Sequence, residues 1–297
     1  MANTQEDFLV CVACGTQFDV PADNPLKSCR ICDDPRQFIP PTGQSWTSLA
    51  RMRGTYSNKF RQLGDSNGEE RIFSIWTEPK FGIGQRCLLL QTEQGNVLWD
   101  CISYLDAETV EFIEQKGGLK AIVISHPHYY STHLDWARTF GCPVYIARED
   151  ERWVSREDDK GHRKLIDGTS EQIVLGVTAV KVGGHFPGSL VLLWSEKLLI
   201  ADSFVTTPSA LYHVDRLPGT TSYAFMWAVP NMIPLPPAEL HKMWQAIKPY
   251  NFHSTHGAFV GQEVRDEKVK GRVLESMKIQ TRAMGWEEHA LLKEELA

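Results

Sequence analysis

Residues 121–131 read Ala-Ile-Val-Ile-Ser-His-Pro-His-Tyr-Tyr-Ser. The first four are apolar and mostly β-branched, which predicts a short buried strand. His126 and His128 follow directly after this strand, and Pro127 stiffens the chain between them. In an extended segment, residues i and i+2 point to the same side, so both imidazoles could bind one metal ion at about 2.0–2.1 Å. The stretch therefore predicts a metal site where a strand ends.

Two further candidate ligands lie at strand ends later in the chain. His185 is in residues 183–189, Gly-Gly-His-Phe-Pro-Gly-Ser, a glycine-rich turn between two predicted strands, and Asp202 follows a predicted strand over residues 198–201. Rigid scaffolds commonly present functional groups at such junctions. The alternative is that all of these are unrelated polar residues near strand ends. A set of four in this arrangement favours a metal site.

Outward from these ligands, the sequence predicts alternating strands and helices. The pattern indicates a hairpin over residues 87–91 and 96–100, and helices over 107–115, 131–140, 238–247 and from about 263. Further strands are predicted at 144–147, 176–182, 190–194 and near 251–255. This alternation indicates sheets covered by helical layers. A Pro-rich irregular region spans 207–237, and we expect its aromatic part, 211–233, to form a cleft wall or lid.

Over about residues 70–260 the chain resembles the metallo-β-lactamase superfamily. The features occur in the family's order: a hairpin ending at Asp100, a His-x-His after the next strand-helix-strand unit, a Gly-His-x-Pro-Gly-Ser turn, an Asp that closes a strand, and a late His256-Gly257. A lone His-x-His would be weak evidence, but the ordered set is specific. The resemblance implies an α/β (α+β) fold, an αββα sandwich with metal at one edge of two sheets.

The resemblance also implies roles for individual residues. His126, His128 and His185 would form the first metal site. Asp202 would be the carboxylate that bridges two metals in dinuclear members, and it would take part in catalysis. Asp100 would stand behind the ligands and orient a histidine or the loop.

The family pattern H-x-H-x-D-H is broken in this chain. Tyr130 stands where the pattern has Asp, and Ser131 stands where it has the last His. A phenol and a hydroxyl are poor zinc ligands compared with carboxylate and imidazole. We therefore expect one active-site ion, Zn²⁺ or Fe²⁺, and not two. Tyr130 or its neighbour Tyr129 could donate a hydrogen bond to an oxyanion or carry a proton, or either could be a packing residue.

Three other histidines are weaker ligand candidates. His256 is placed by its order in the family pattern, and His253 is its rival. His133 lies in the first turn of the helix predicted after the motif and could swing toward the vacated second site. A surface or helix-capping role is the alternative for His133.

Four of the seven cysteines form two C-x-x-C pairs separated by fourteen residues: Cys11, Cys14, Cys29 and Cys32. This spacing predicts a tetrahedral Cys₄ zinc site of the zinc-ribbon type. A disulfide framework would need an oxidising compartment, and a redox pair would need a helix start after a strand; the sequence indicates neither. Such a closed site would be a folding device or a docking surface. The other three cysteines lie in apolar runs.

Composition limits the classes of function. The chain has 297 residues and a net charge of −6, which argues against nucleic acid as the main partner. The first ten residues lack the basic region of a signal peptide, and no apolar run is long enough for a membrane span, so we expect a cytoplasmic protein. We expect two parts, a zinc ribbon with linker over 1–45 and a metallo-β-lactamase-like domain over 46–297.

The predicted function is metal-dependent hydrolysis of a small-molecule ester, lactone, thioester or amide by a metal-activated water. One alternative is a mononuclear iron dioxygenase of the same fold. Another is a non-catalytic protein whose zinc ribbon contacts a protein partner or a second copy. A nuclease is disfavoured by the net charge and by the loss of second-site ligands.

Overall fold

The computed structural model describes residues 5–65, 68–212, 217 and 219–296. The chain forms two compact units, Met1–Leu165 and Ile166–Ala297, and each contains one large sheet. No helix within those described ranges is long and apolar enough to cross a membrane. The fold is mixed α/β, as the sequence predicts.

The first unit opens with a small antiparallel sheet that carries the cysteine pairs. Its strands lie in the order β2-β1-β3, with β1 at Phe8–Cys11, β2 at Gln17–Pro21 and β3 at Trp46–Thr47. A short helix, α1 (Leu49–Met52), follows and is capped by the side chain of Ser48. The predicted division at 45/46 falls at the start of β3, and it stays a prediction.

A seven-stranded sheet forms the rest of the first unit, in the order β10-β9-β8-β7-β6-β5-β4. Its strands are β4 (Ser57–Gln62), β5 (Ile72–Glu78), β6 (Cys87–Leu90), β7 (Val97–Trp99), β8 (Ala121–Val123), β9 (Val144–Ala147) and β10 (Arg163–Ile166). β6 and β7 form the predicted hairpin, whereas β7, β8 and β9 are parallel. Parallel neighbours end at the same edge of a sheet, so residue 100 and residues 124–126 are brought together.

The helices of this unit differ in how well the sequence predicts them. α2 (Ala107–Gln115) has the predicted bounds, because the Asp106 side chain accepts a hydrogen bond from Thr109 N and fixes its start. α3 (His133–Phe140) starts two residues later than predicted. Ser131 has φ +43°, a left-handed conformation that a helix does not continue through. Gly141, also left-handed, ends α3 as predicted.

The second unit contains a six-stranded sheet in the order β11-β12-β13-β14-β19-β20. In chain order its elements are β11 (Ser170–Val174), β12 (Val177–Lys181), β13 (Leu190–Trp194), β14 (Lys197–Leu199), β15 (Val205–Thr206), β16 (Tyr223–Ala224), β17 (Met226–Ala228), β18 (Ile233–Pro234), α4 (Pro237–Ile247), β19 (Ser254–His256), β20 (Glu263–Arg265) and α5 (Val269–Ala283). β14 and β19 are parallel, and the other pairs of this sheet are antiparallel. Its core joins the apolar faces of α4 and α5 through Met243, Trp244, Val273 and Met277.

The predicted helix from about residue 263 is wrong at its start. Residues 263–265 pair with β19 as an edge strand, and α5 begins only at Val269. The alternation of Glu263, Val264 and Arg265, with only Val264 buried, fits a strand rather than a helix.

Over its described residues, 207–212, 217 and 219–237, the region is irregular as predicted, apart from short strands, α4's first residue and a 3₁₀ turn at Pro208–Ala210. The rest of this prediction lies outside the described residues. β15 pairs with β16 and β17 pairs with β18. The segment carries several large apolar side chains that are exposed to solvent: Leu211, Tyr212, Leu217, Met232 and Ile233. Its role as a cleft wall or lid stays a prediction.

Candidate metal centre

His126 and His128 follow β8 after two intervening residues, Ile124 and Ser125, and both histidines are buried. His126 is extended at φ −168°, but the next three residues, Pro127–Tyr129, form one turn of 3₁₀ helix. The expectation of an extended segment over 126–128 is therefore wrong, because the proline begins a turn instead. The two imidazoles are nevertheless neighbours, with ring centroids 5.1 Å apart.

Two hydrogen bonds connect His126 to Asp100 through Ser125. Asp100, at the end of β7, has φ +63°, and its Oδ1 accepts a hydrogen bond of 2.7 Å from Ser125 N. Ser125 Oγ lies 2.8 Å from His126 Nδ1. With Nδ1 engaged in this way, Nε2 is the nitrogen suited to bind a metal. Asp100 is thus connected to His126 through Ser125, and its role in orienting the ligand stays a prediction.

His185 is presented by a tight loop between β12 and β13. Gly183 and Gly184 have φ of +67° and +82°, and a Cβ at Gly184 would lie 2.8 Å from Met243 Sδ. Only glycine fits this position, both for its backbone conformation and for the space available. Ser189 closes the loop, since its Oγ accepts a hydrogen bond from Phe186 N. His185 is fully buried.

Asp202 follows β14 and lies beside the loop of His185. Its Oδ2 is 3.8 Å from His185 Nε2. The neighbouring Ser203 donates a hydrogen bond of 2.9 Å from Oγ to the carbonyl of Gly183, which ties the two ligand segments together. Asp202 is 9% exposed, more than any of the three histidines.

The four predicted ligands form one group. One ligand atom from each of His126, His128, His185 and Asp202 lies within 4.8 Å of the other three. A tetrahedral ion with bonds of about 2.0–2.1 Å needs ligand atoms about 3.4 Å apart, so small side-chain movements suffice to close the group on one ion. Three imidazoles and a carboxylate are a donor set suited to Zn²⁺ or Fe²⁺. The residues therefore fit a metal ion.

The two residues that replace the second-site ligands point to other partners. The Tyr130 hydroxyl donates a hydrogen bond of 3.1 Å to the carbonyl of Asp150, and burial raises the pKa of this phenol well above its usual value. Ser131 Oγ donates to the carbonyl of Cys101 at 3.3 Å and accepts from Gln85 Nε2 at 3.2 Å. Tyr129 is fully buried, and its ring centroid lies 4.4 Å from that of His126.

The weaker histidine candidates lie outside the group of four described residues. His133 donates from Nδ1 to the carbonyl of Tyr130, and its Nε2 is 3.4 Å from Arg163 Nη1. Burial, and then the charge of Arg163, lower the pKa of His133 to about 3, so its ring is neutral. His256 Nε2 is 3.2 Å from Ser254 Oγ. His253 is half-exposed between two glutamates.

The four cysteines of the ribbon form a second group. Their sulfurs lie within 4.8 Å of one another and are buried: Cys11, Cys14, Cys29 and Cys32. The Cys11–Cys32 and Cys14–Cys29 sulfur distances are 3.7 and 3.6 Å. Zinc–sulfur bonds of about 2.3 Å in a tetrahedron place sulfurs about 3.8 Å apart, so the thiols fit a zinc ion. Hydrogen bonds from the other thiols hold the pKa of Cys11 well below its usual value.

Several supporting residues escape sequence analysis. Ser125 connects Asp100 to His126, and Gln85 bonds both Ser131 and the carbonyl of Cys101. Gln85 is a common residue type in no recognisable pattern, and its role depends on contacts far apart in the chain. Ser125, which directly precedes the His-x-His, carries the one local signal, since metal-binding histidines need a partner for the second ring nitrogen.

Comparisons with known proteins find a relative in sequence and solved structures of similar fold. It is 39% identical over 267 residues to the uncharacterized protein YmaE of Bacillus subtilis (strain 168), covering 89% of this chain and 93% of YmaE. A crystal structure of VMB-1 covers 76% of this chain and 98% of its own with a TM-score of 0.54 and 13% identity. DIM-1 metallo-β-lactamase exposed to ceftazidime covers the same shares with a TM-score of 0.53 and 12% identity. No family model matches the sequence.

At such identities the two solved structures establish the fold alone, and the fold is the predicted one. YmaE is much closer in sequence and matches nearly end to end. The chain therefore belongs to the same family as YmaE and has the metallo-β-lactamase fold that its ordered His and Asp motifs predict.

Proposed function

We propose that the protein is a metal-dependent hydrolase with a single catalytic metal ion held by His126, His128, His185 and Asp202. The observation that carries this proposal is the convergence of their ligand atoms to within 4.8 Å. Four buried polar side chains are costly to bring together unless a ligand compensates for their desolvation. A divalent ion bound there supplies a water of lowered pKa and polarises the substrate oxygen.

The surroundings of two ligands, His126 and Asp202, support a role for each of them. Ser125 and Asp100 hold His126 in one orientation, which keeps the metal geometry fixed during turnover. Asp202, the most exposed of the four, is the ligand that solvent reaches most readily. We assign Asp202 a second role as the acceptor of the proton that the attacking water releases.

The contacts of Tyr130 and Ser131 support one metal ion rather than two. Both side chains are committed to backbone carbonyls, those of Asp150 and Cys101, and neither offers a carboxylate or an imidazole. Of the two tyrosines, Tyr129 packs against a ligand, so we assign any contact with substrate to Tyr129 and a packing role to Tyr130. The substrate class we propose is a small ester, lactone, thioester or amide.

Elemental analysis of the purified protein, combined with assays on aryl esters, acyl thioesters and lactones, tests the proposal. We expect two metal ions per chain, one in each group. His185→Ala should remove only the catalytic ion, and with it hydrolysis of every substrate in the panel. Iron in this site together with thiol-dependent oxygen uptake would instead identify the dioxygenase alternative. A chain that binds only the cysteine-site ion and hydrolyses nothing would support the non-catalytic zinc-ribbon protein.

A further inference from the structure

Four consecutive residues connect the ribbon to the metal-binding segment. Residues 100–103, Asp-Cys-Ile-Ser, follow β7 and are all buried; we call them the strap. Each strap residue forms a hydrogen bond with the stretch 125–136, which contains His126 and His128. A segment of this length that is bonded at every residue fixes the position of its partner.

Each of the four strap residues accepts one of these hydrogen bonds. The Asp100 side chain accepts from Ser125 N, and the carbonyl of Cys101 accepts from Ser131 Oγ. The remaining two carbonyls accept from side chains further along: that of Ile102 from Trp136 Nε1 at 3.1 Å, and that of Ser103 from Thr132 Oγ1 at 2.9 Å. The residues on both sides of the His-x-His are therefore held by the strap.

The last strap residue also contacts the zinc ribbon. Ser103 Oγ donates a hydrogen bond of 2.9 Å to the carbonyl of Gly15, the residue directly after Cys14. A Cβ at Gly15 would lie 2.1 Å from this hydroxyl, and the φ of +81° disfavours any other residue. Close by, Gln17 N donates to the carbonyl of Ser131 at 3.1 Å. The turn at Cys14 thus meets both the strap and the metal-binding segment.

We propose that the Cys₄ site acts on the catalytic site through Ser103, which is a positioning residue for the histidine ligands. Metal in the ribbon fixes the turn at Cys14 and Gly15, and Ser103 connects that turn to the strap. The strap holds the residues on both sides of His126 and His128. The proposal rests on the proposed function for its consequence in catalysis, but the mechanical connection is independent of any substrate.

The test compares two buried Ser→Ala changes in the same unit. Ser103→Ala removes the hydroxyl that bonds Gly15. Ser74→Ala is the matched control, because Ser74, in β5, is fully buried and its Oγ finds no hydrogen-bond partner among the described residues. Ser103→Thr keeps the hydroxyl and should retain the wild-type Co²⁺ affinity and amide hydrogen exchange. Each protein is loaded with Co²⁺, whose thiolate charge-transfer bands report the Cys₄ site separately from the His-Asp site.

We expect Ser103→Ala to keep its thiolate bands and to bind Co²⁺ at the His-Asp site about 2- to 10-fold more weakly in competition with a chelator, the range for one lost hydrogen bond. Amide hydrogen exchange over residues 126–132 should be faster in Ser103→Ala alone. Wild-type affinity and exchange in Ser103→Ala, or equal changes in Ser74→Ala, would overturn the inference. If the wild-type His-Asp site takes up no metal, the proposed function fails, and the exchange measurement still decides whether Ser103 positions the segment.

Discussion

The two metal-binding groups of this chain are built in opposite ways. The cysteine ligands come from residues 11–32, on turns next to one small sheet, whereas the His and Asp ligands are spread over residues 126–202. Four thiolates saturate a tetrahedral zinc ion, while nitrogen and oxygen ligands allow zinc to expand to five-coordination and accept a substrate or water. The difference accords with the proposed function, in which the first group stabilises the fold and the second holds the catalytic ion.

Removing one ribbon ligand should have the largest effect on the stability of the first unit. Cys29→Ser leaves three buried thiols without the fourth ligand, and structural zinc contributes several kcal/mol or more to the folding of small sites. We expect loss of the ribbon metal and a large fall in the free energy of unfolding of the first unit, measured by urea denaturation. Because of the strap, hydrogen exchange over residues 126–132 should also rise. A variant that loses the ribbon metal without either change would show that the ribbon is an independent appendage.

Removing one catalytic ligand should give the opposite result. His185→Ala is expected to lower hydrolysis by about 10³-fold or more, comparable to about 4 kcal/mol of transition-state stabilisation, since the metal itself is lost. The ribbon metal should be retained, and the urea midpoint should fall less than in Cys29→Ser, because only the stabilisation from the catalytic ion is lost. A matched change at half-exposed His253, to Ala, should leave both metals and the activity unaltered. Equal loss of activity in both variants would argue against the His-Asp site as the catalytic centre.

The same contrast explains what the sequence can predict. The cysteine spacing, the ordered ligands and the hairpin at residues 87–100 are local patterns, so they are readable without a structure. The strap is not, because its bonds to Thr132, Trp136 and Gly15 join residues 29 to 88 positions apart. The start of α3 is hard to predict for a similar reason: Ser131 is in the left-handed conformation, and its hydrogen bonds are to Cys101, Gln85 and Gln17, which are distant in the sequence.

His133, which belongs to neither metal-binding group, should make the free energy of unfolding depend on pH. Its pKa is lowered to about 3, from 6.5 in an unfolded chain, because burial and Arg163 disfavour the imidazolium. Below pH 6.5 the unfolded state therefore binds a proton that the folded state does not, and the free energy of unfolding falls by a few kcal/mol as the pH drops from about 6.5 toward 3. His133→Asn, which keeps a donor for the carbonyl of Tyr130, should flatten this slope. Parallel slopes for the two proteins in urea denaturation would contradict the assignment.

A smaller effect than these is expected at Ser125, whose side chain contacts a metal ligand and does not itself belong to the group of four. Ser125→Ala removes the oxygen beside His126 Nδ1 but leaves the bond from Ser125 N to Asp100 intact. Loss of such an outer contact typically weakens metal binding by about 10- to 100-fold. We expect a weakening in that range at the His-Asp site, unchanged thiolate bands from the ribbon, and a smaller loss in activity when the site is saturated with metal. Ser74→Ala again serves as the control, because it removes a buried hydroxyl without a partner among the described residues. If Ser125→Ala bound metal as tightly as Ser74→Ala, the hydrogen bonds from Asp100 through Ser125 would not be what orients His126 as a ligand.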